Sequence, residues 1–594
     1  MTAYSPIRWD RRADGIVLLT LDDPLRSANT MNTAFAAALS DTVDRLYREH
    51  DAVTGVVITS AKQTFFAGGD LREIRDLPSE PGAERPGLLA KTQLRRLEQL
   101  GRPVVSAIAG AALGGGLELA LATHHRIVVD AVDIELGLPE VTLGLLPAGG
   151  GIVRTVRRLG VRAALEDVLL PGTRFTPRQA LARGLIDQLV GATERLLPQA
   201  IRWIHANPDA TQPWDRPGHR IPGDAVTAVE LAALVRRYTG GAPYTAPHHI
   251  TAAAAEGALF DFDTACAIED HHAERVSTGT VAKNMIHLTF FDPREVRSLR
   301  PRLAGQPRVT SGEVAVLGDT VAAARIEKLL ATQGFTVRRF AAGPVDDAVA
   351  RLVIDARGGA GHAGESTDPG SVSYLTADAL LTGPAKEPHR AHLRIPISAG
   401  GPAVLEIDVG RAAADIDPRM LCDLAEALGW TPIVVTGPYI ARLIAQIVDE
   451  GQQMLAEGIS AESITQAARV GGFTLAVVPS TPPPAQITRP PKPQVSLADL
   501  TDRLLFRVAL EAIRCLDDGT VASAAEANLG SVLGAGFPRW TGGALRFADS
   551  YTGGPAGFAD RARQLALDHG LRFTPPESLG AVTCAARASR DRGL

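Results

Sequence analysis

GAALGGGLELA, residues 110–120, follows an apolar stretch at residues 104–108 that is typical of a buried strand. Its glycines are followed at once by good helix formers, which predicts a tight turn leading into a helix N-terminus. Free backbone N–H groups and the helix dipole favour negative charge at such a point. The stretch therefore predicts a strand, a turn and a helix, with an anion-binding backbone at the turn.

A second glycine-rich turn and two glutamates accompany this stretch. The turn is FAGGD, residues 66–70, and the glutamates are Glu118, one helical turn beyond Gly115, and Glu140, in the loop GLPE at residues 137–140. Two carboxylates can hold and activate one water, and two convergent N–H groups can hold an oxyanion. Each motif alone also fits a tight turn with solvated glutamates. The four together predict water addition next to a polarised carbonyl such as a thioester.

Composition excludes several other classes of protein. The chain has 594 residues, 45% of them hydrophobic, so several packed domains are expected. A net charge of −5 argues against nucleic-acid binding. Four scattered cysteines argue against a disulfide framework or a metal site and favour the cytoplasm. The N-terminus has no signal-peptide pattern, and the apolar stretch 104–123 contains glycines and Glu118, so we expect a buried core segment and no integral membrane span.

The motifs of the first part resemble the crotonase (enoyl-CoA hydratase/isomerase) superfamily over about residues 1–300. The resemblance rests on FAGGD at 66–70, ALGGGLE at 112–118, LPE at 138–140, GLLP at 144–147 and the glycine pair 149–150. It implies that the N–H groups of Gly69 and Gly115 form an oxyanion hole for a thioester oxygen. It places the substrate near six further residues: Ala67, Gly68, Asp70, Gly114, Pro139 and Gly149.

The same resemblance implies that Glu118 and Glu140 together hold the water. One carboxylate deprotonates the water for attack at Cβ, and the acid form of the other protonates Cα. We favour Glu140 as the proton donor and Glu118 as the water activator, since neighbouring carboxylates divide their pKa values; the sequence leaves this assignment open. Because both glutamates are present, a hydratase is favoured over an isomerase.

The whole chain resembles the α-subunit of the bacterial fatty-acid β-oxidation complex, with actinobacterial members most similar. The motifs are DDP at 22–24, SANTMN at 27–32, WD at 214–215 and FPRWTGG at 537–543. That family fuses a hydratase to an NAD-dependent 3-hydroxyacyl-CoA dehydrogenase. It implies a thiolase β-subunit as a possible partner and a homo- or hetero-oligomer.

The dehydrogenase half departs from its family. Where a dinucleotide fold has G-x-G-x-x-G/A, the chain has Gly318, Thr320 and Ala323, and a Cβ at the second position obstructs the pyrophosphate. The acid expected about 20 residues later is missing. His392 and Glu406 resemble the family's catalytic histidine and its partner acid, but too few residues separate Gly318 from His392 for a complete fold. We expect a truncated, inactive half that lacks NAD binding, with a working bifunctional enzyme as an alternative.

These observations predict an α/β protein with a crotonase (spiral β-β-α) domain, a shortened Rossmann-like domain and all-α C-terminal domains. The predicted segments are a crotonase core at 1–195, its C-terminal helices with a linker helix at 196–307, a degenerate Rossmann-like domain at 308–410, a shortened helical repeat at 411–478, a Pro-rich linker at 479–496 and a second helical domain at 497–594. The predicted function is hydration of trans-2-enoyl-CoA to 3-hydroxyacyl-CoA in fatty-acid β-oxidation. Coenzyme A is present only as part of the substrate, and no cofactor or metal is required. An enoyl-CoA isomerase and a non-catalytic acyl-CoA-binding scaffold for a thiolase stay as alternatives.

Overall fold

The computed structural model describes most of the chain as two compact units. The described residues are 5–77, 86–299, 313–317, 321–332, 334–340, 352–355, 374–381, 389–396, 404–410, 418–475, 477 and 495–580. The first unit comprises residues 1–239 and 244–286, and the second unit comprises residues 240–243 and 287–594. The segment boundaries drawn from the sequence stay predictions.

The first unit contains one large and one small sheet. Within its described residues, the large sheet has the strand order β1-β2-β3-β4-β6-β9, and the small sheet has the order β5-β7-β8. Only the β1–β2 pair of the large sheet is antiparallel. The strands are β1 Ile7–Arg11, β2 Ile16–Leu21, β3 Gly55–Ser60, β4 Val104–Ile108, β5 Ala112–Leu113, β6 His125–Val129, β7 Leu136–Gly137, β8 Arg174–Phe175 and β9 Gln188–Val190.

Apolar runs form the centre of the large sheet because its parallel strands are covered on both faces. Apolar runs in the sequence predict strands at residues 15–21, 53–60, 104–108 and 126–129. The structure confirms them as β2, β3, β4 and β6, within about two residues at each end. β4 is buried along its whole length, and it is followed by the buried helix α4, Gly115–Leu121. The apolar stretch 104–123 is therefore a core segment, as predicted. In the described part of the chain, no helix is both long enough and apolar enough to cross a bilayer.

Helices surround these sheets. The predicted helix at 32–50 is confirmed as α1, with its apolar residues buried and the Asn32 side chain accepting a hydrogen bond from the Phe35 N–H at 2.8 Å. The helices of the first unit are α1 Thr33–Arg48, α2 Leu71–Arg75, α3 Pro86–Glu98, α4, α5 Gly151–Leu159, α6 Val161–Ala163, α7 Pro177–Ala182, α8 Leu196–Ala206, α9 Ala228–Thr239, α10 Thr245–Gly257, α11 Phe262–Ser277 and α12 Thr280–Ile286.

The small sheet positions the turn between β5 and α4. β5 pairs in parallel with β7, and the Gly114 N–H donates to Gly137 O at 2.9 Å. On the other side, the Leu113 N–H donates to Phe66 O at 3.2 Å. Because β7 leads directly into the loop that carries Glu140, this pairing brings three distant segments of the chain to one place.

The second unit contains a mixed sheet. Among the described residues its strand order is β11-β10-β12-β13-β14-β15-β16. The three pairings between β12 and β15 are antiparallel, and the three outer pairings are parallel. The strands are β10 Glu313–Leu317, β11 Thr336–Phe340, β12 Leu352–Asp355, β13 Tyr374–Leu381, β14 His389–Pro396, β15 Val404–Asp408 and β16 Thr431–Val435.

This sheet differs from the mostly parallel sheet of a dinucleotide-binding fold. Residues 382–388 alone join β13 to β14, and a parallel crossover needs a dozen residues or more, so these strands pair antiparallel. β16 pairs with β15, so the sheet continues past residue 410, where the sequence places a domain boundary.

Helices make up the rest of the second unit. The long helix α18 confirms the predicted helical block after residue 497, and its predicted apolar residues are buried: Leu500, Leu504, Leu505, Val508, Leu510 and Ile513. Nearly all of the predicted Pro-rich linker lies outside the described residues. The helices are α13 Asp292–Ser298, α14 Val321–Thr332, α15 Arg419–Ala427, α16 Tyr439–Ala456, α17 Ala461–Gly471, α18 Leu497–Asp517, α19 Ala524–Leu529, α20 Ala544–Asp549 and α21 Gly554–His569.

Candidate active site

The two glycine-rich turns meet in the first unit. A Cβ added to Gly114 would lie 3.5 Å from the Cα of Gly68, and a Cβ added to Gly68 would lie 3.9 Å from the backbone nitrogen of Gly115. Gly114 has φ +53° and ψ −124°, a conformation that residues with a side chain rarely adopt. Glycine at this position therefore permits both the close approach and the turn into α4.

The backbone N–H groups of Gly69 and Gly115 lie in these turns. Met31 forms a bridge with Gly69 in which the Met31 N–H donates to Gly68 O at 2.8 Å and the Asp70 N–H donates to Met31 O at 3.2 Å. The Gly69 N–H takes no part in that pairing. Gly115 is the first residue of α4, where an N–H has no acceptor within the helix. Both groups are thus suited to bind an oxyanion.

Glu118 is buried on α4 and is held by the loop before α5. Its Oε1 accepts hydrogen bonds from the N–H groups of Gly149 at 2.7 Å and Gly151 at 2.9 Å. Burial and the charge of Glu269 raise the pKa of Glu118 to about 7, against the opposing effects of the two N–H groups and of Lys91. Glu118 can therefore gain or lose a proton near neutral pH.

Three glycines form the loop that holds Glu118. A Cβ on Gly149 or on Gly151 would lie 2.7 Å from a carboxylate oxygen of Glu118, and a Cβ on Gly150 would overlap the Arg154 guanidinium. Gly150 also has a φ of +94°. No side chain fits at any of these positions, so the loop presents bare backbone to the carboxylate.

Glu140 lies on a 3₁₀ turn, Pro139–Leu143, that follows β7. Its Oε1 lies 2.7 Å from the point where a Cβ on Gly114 would be, so the carboxyl packs against the glycine turn. The residue as a whole is half-buried, but its Oε2 is enclosed and has no hydrogen-bond partner among the described residues. Burial and the nearby charge of Glu118 raise the pKa of Glu140 well above its ordinary value. Both effects favour the protonated, neutral form of the Glu140 carboxyl.

The sequence did not predict a third buried acid, Glu269 on α11. Its Oε1 accepts from the Gly150 N–H at 2.8 Å, its Oε2 accepts from the Val153 N–H at 3.1 Å, and Lys91 forms an ion pair with it at 2.9 Å. Glu269 lies in an ordinary amphipathic helix far along the chain, so no local motif marks it. The only available sequence signal is an acid on a helical face that is otherwise apolar.

Two of the residues predicted near the substrate have partners within the protein. The Asp70 carboxylate caps α2 by accepting from the Arg72 N–H at 2.9 Å, and it forms an ion pair with Arg26. The Ala67 N–H donates to Asn29 O at 2.9 Å. Gly114, Pro139 and Gly149 adjoin the two glutamates, and Gly68 lies against the turn at Gly114, as described above.

The structure describes the predicted dehydrogenase residues only in part. Gly318 and Thr320 lie outside the described residues, and Ala323 is buried on α14. His392 lies on β14, between Asp378 of β13 and Asp408 of β15 in the strand register. Glu406 is fully buried on β15, and its Oε2 accepts from the Ile440 N–H at 2.7 Å at the start of α16. In the described ranges, no group of three or more His, Cys, Asp or Glu side chains could hold a metal ion.

A buried ion pair supports the loop before α5. Arg154 donates to Glu98 through Nε at 2.8 Å and Nη2 at 3.1 Å, and its Nη1 donates to Gly149 O at 2.9 Å. Both side chains are fully buried.

We expect Glu98→Gln to lower the free energy of unfolding by about 3–5 kcal/mol, because it leaves the Arg154 charge buried and unpaired. Urea denaturation measures this loss. The matched change is Asp130→Asn, whose partner Arg178 is largely exposed. It should have a much smaller effect, and equal losses for the two variants would contradict the prediction.

The first part of the chain is similar to known proteins. Residues 11–211 match the family model described as enoyl-CoA hydratase/isomerase. Similar solved structures include an enoyl-CoA hydratase from Bacillus anthracis, with 26% identity over 46% of this chain and 91% of that chain and a TM-score of 0.31. An enoyl-CoA hydratase from Bacillus halodurans has 17% identity over 48% of this chain and 99% of that chain, with a TM-score of 0.36. The N-terminal part of this chain is thus a domain of the enoyl-CoA hydratase/isomerase family, within the crotonase superfamily.

Proposed function

We propose that the first unit is an enoyl-CoA hydratase that adds water to a trans-2-enoyl-CoA. The observation that carries the proposal is the pair of glutamates beside the two glycine turns. Burial and the charge of Glu269 raise the pKa of Glu118 to about 7, and burial and the charge of Glu118 raise the pKa of Glu140 well above its ordinary value. The pair can therefore supply one ionised and one protonated carboxyl. Hydration requires one base and one acid at the same double bond.

The proposed reaction follows from these positions. The thioester oxygen accepts hydrogen bonds from the N–H groups of Gly69 and Gly115, which stabilise the negative charge that develops on it. Ionised Glu118 takes a proton from water while the water oxygen forms a bond to Cβ. The electron pair of the double bond moves toward the thioester, and the neutral carboxyl of Glu140 gives its proton to Cα. The pair regains its starting protonation by exchange with solvent.

The experiment that tests the proposal is a hydration assay with crotonyl-CoA. Loss of the enoyl-thioester absorbance at a rate proportional to enzyme supports a hydratase. If the protein instead moves the double bond of a 3-enoyl-CoA without net hydration, it is an isomerase. Tight acyl-CoA binding with neither reaction would support a non-catalytic scaffold.

The pH dependence of hydration gives a sharper prediction. The base must be ionised and the acid must be protonated, so kcat/KM should rise with pH as Glu118 loses its proton, around pH 7. It should fall again at higher pH, where Glu140 ionises. Initial rates measured between about pH 5 and pH 10 test this bell shape. A flat profile, or one whose acidic midpoint lies near the ordinary pKa of a glutamate, would contradict it.

We also propose that the second unit does not work as a dehydrogenase. Three facts support this: Thr320 replaces a glycine of the dinucleotide motif, the central strands of the sheet are antiparallel, and the Glu406 carboxylate accepts a backbone hydrogen bond at the start of α16. Adding NAD to the crotonyl-CoA assay tests the proposal. Formation of NADH would establish the bifunctional alternative.

The family resemblance suggests an assembly role for the second unit. We propose that its helices bind a thiolase β-subunit in the cytoplasm, as the resemblance implies. Coexpression with a thiolase and size-exclusion chromatography tests this. Elution of the two proteins in separate peaks at micromolar concentrations would contradict the proposal.

A further inference from the structure

Two buried carboxylates share the N-terminus of α5. The N–H groups of Gly149 and Gly151 donate to Glu118, and those of Gly150 and Val153 donate to Glu269. Neighbouring N–H groups of one short segment therefore point to two different acids. Any displacement of Glu269 moves the same backbone that holds Glu118.

The charges around Glu269 are defined. Lys91 on α3 is buried and lies 2.9 Å from Glu269 Oε1. Its Nζ also donates to Cys266 O at 3.0 Å and forms an ion pair with Asp270. The buried pair of Glu98 and Arg154 also contacts this loop, because Arg154 donates to Gly149 O.

We infer that Glu269 and Lys91 form a positioning pair that sets the charge state of Glu118 from behind the loop of residues 149–153. The inference deepens the proposed function and rests on it for its catalytic meaning. The proposed reaction assigns Glu269 no direct contact with the water or the substrate. It acts through the α5 N-terminus, which it fixes, and through its charge.

The sign of the electrostatic effect differs between the two members. A negative charge at Glu269 disfavours a second negative charge at Glu118, whereas the positive charge of Lys91 favours it. The charges of Glu118 and Glu269 in turn raise the pKa of Glu140. Neutralising Glu269 should therefore make Glu118 a stronger acid, and neutralising Lys91 should make it a weaker one.

The opposite signs of the two effects distinguish a pair that sets the charge of Glu118 from a pair that only stabilises the fold. A structural ion pair loses stability when either member is changed, and the two changes affect stability in the same direction. A charge-setting pair shifts the protonation of Glu118 in opposite directions. The variant that removes both charges should return it close to its original value.

The test compares three variants of the full chain: Glu269→Gln, Lys91→Met and the double variant. The measured quantity is the acidic midpoint of kcat/KM with crotonyl-CoA. We expect it to fall by roughly one pH unit in Glu269→Gln, to rise by roughly one unit in Lys91→Met, and to return near the wild-type value in the double variant. Shifts in the same direction, or none, would overturn the inference.

Asp187→Asn serves as the matched control. It breaks other ion pairs of the first unit, with the buried Arg126 and with Arg158 at the C-terminal end of α5. The Asp187→Asn variant should be less stable than the wild type, while the acidic midpoint of its kcat/KM should stay at the wild-type value. A midpoint shift as large as that of Glu269→Gln would show that loss of any buried pair produces the effect, and would overturn the inference.

An infrared titration makes the result independent of turnover. The band of the protonated Glu118 carboxyl is assigned by its loss in Glu118→Gln, and its midpoint is then followed in each variant. If the band shifts in opposite directions but crotonyl-CoA is not hydrated, the proposed function is wrong and the inference about Glu269 and Lys91 is supported. If Glu269→Gln does not fold, Lys91→Met decides: an upward shift supports the inference, and an unchanged band overturns it.

Discussion

Glu140→Gln should lower kcat for crotonyl-CoA hydration by roughly 10²–10⁴-fold. The amide has the shape of the neutral carboxyl but cannot give a proton to Cα. Because Glu140 Oε2 has no hydrogen-bond partner among the described residues, the change leaves no other group unsatisfied and the fold should persist. Affinity for a saturated acyl-CoA should stay close to wild type, since the oxyanion donors are backbone groups.

Stopped-flow absorbance and titration calorimetry measure these two quantities. Glu49→Gln is the control, since Glu49 is a surface residue that pairs with Arg11 and Arg45. It should hydrate at the wild-type rate. An active Glu140→Gln enzyme would remove the mechanism in which two glutamates divide the work.

The second large effect is expected for Gly114→Ala. A Cβ at this position would lie 2.7 Å from Glu140 Oε1, so the carboxyl must move, and the turn must leave its present φ and ψ. A displacement of the proton donor by about 1 Å is enough to reduce kcat by roughly 10²-fold. The backbone strain should cost about 1–3 kcal/mol of stability.

The Gly218→Ala variant distinguishes the effect of backbone strain from the effect of the contact with Glu140. Gly218 also has a positive φ, +79°, but a Cβ there would contact nothing within 4 Å. Thermal unfolding and kcat are measured for both variants. Both should lose stability, and only Gly114→Ala should lose activity. Full activity in Gly114→Ala would mean that the contact with Glu140 has no role in the reaction.

The core of the candidate site could be predicted from the sequence because its signals are local. Glycines in a turn after an apolar strand predict a helix N-terminus, and Glu118 follows within one turn. The structure brings the turn at residues 66–70 to this helix through the pairing of Leu113 with Phe66, which no sequence motif specifies. Roles of individual residues stay predictions that the variants above test.

Glu269 could not be predicted by the same reasoning. It lies 119 residues beyond Gly150, to which it is hydrogen-bonded, and nothing in the intervening sequence relates the two. A buried acid on a helix is indistinguishable from a surface acid until its neighbours are known. Tertiary contacts alone make it part of the site.

In the second unit, the sequence predicted the positions of strands but not the direction in which they pair. Apolar runs at residues 314–317 and 431–435 predicted two of its strands, and both are confirmed as parts of β10 and β16. The direction in which strands pair is not contained in such runs. The short connection between β13 and β14 contains that information, because it is too short for a crossover.

The loop of three glycines at residues 149–151 has a consequence for how this enzyme could change over evolutionary time. Any replacement there puts a carbon atom against Glu118 or Arg154. Even alanine, the smallest replacement, therefore disturbs the loop that holds the carboxylate. Under the proposed mechanism, charges on α3 and α11 offer another route to a new pH optimum. A change at residue 91 or 269 replaces no residue of the loop that holds Glu118.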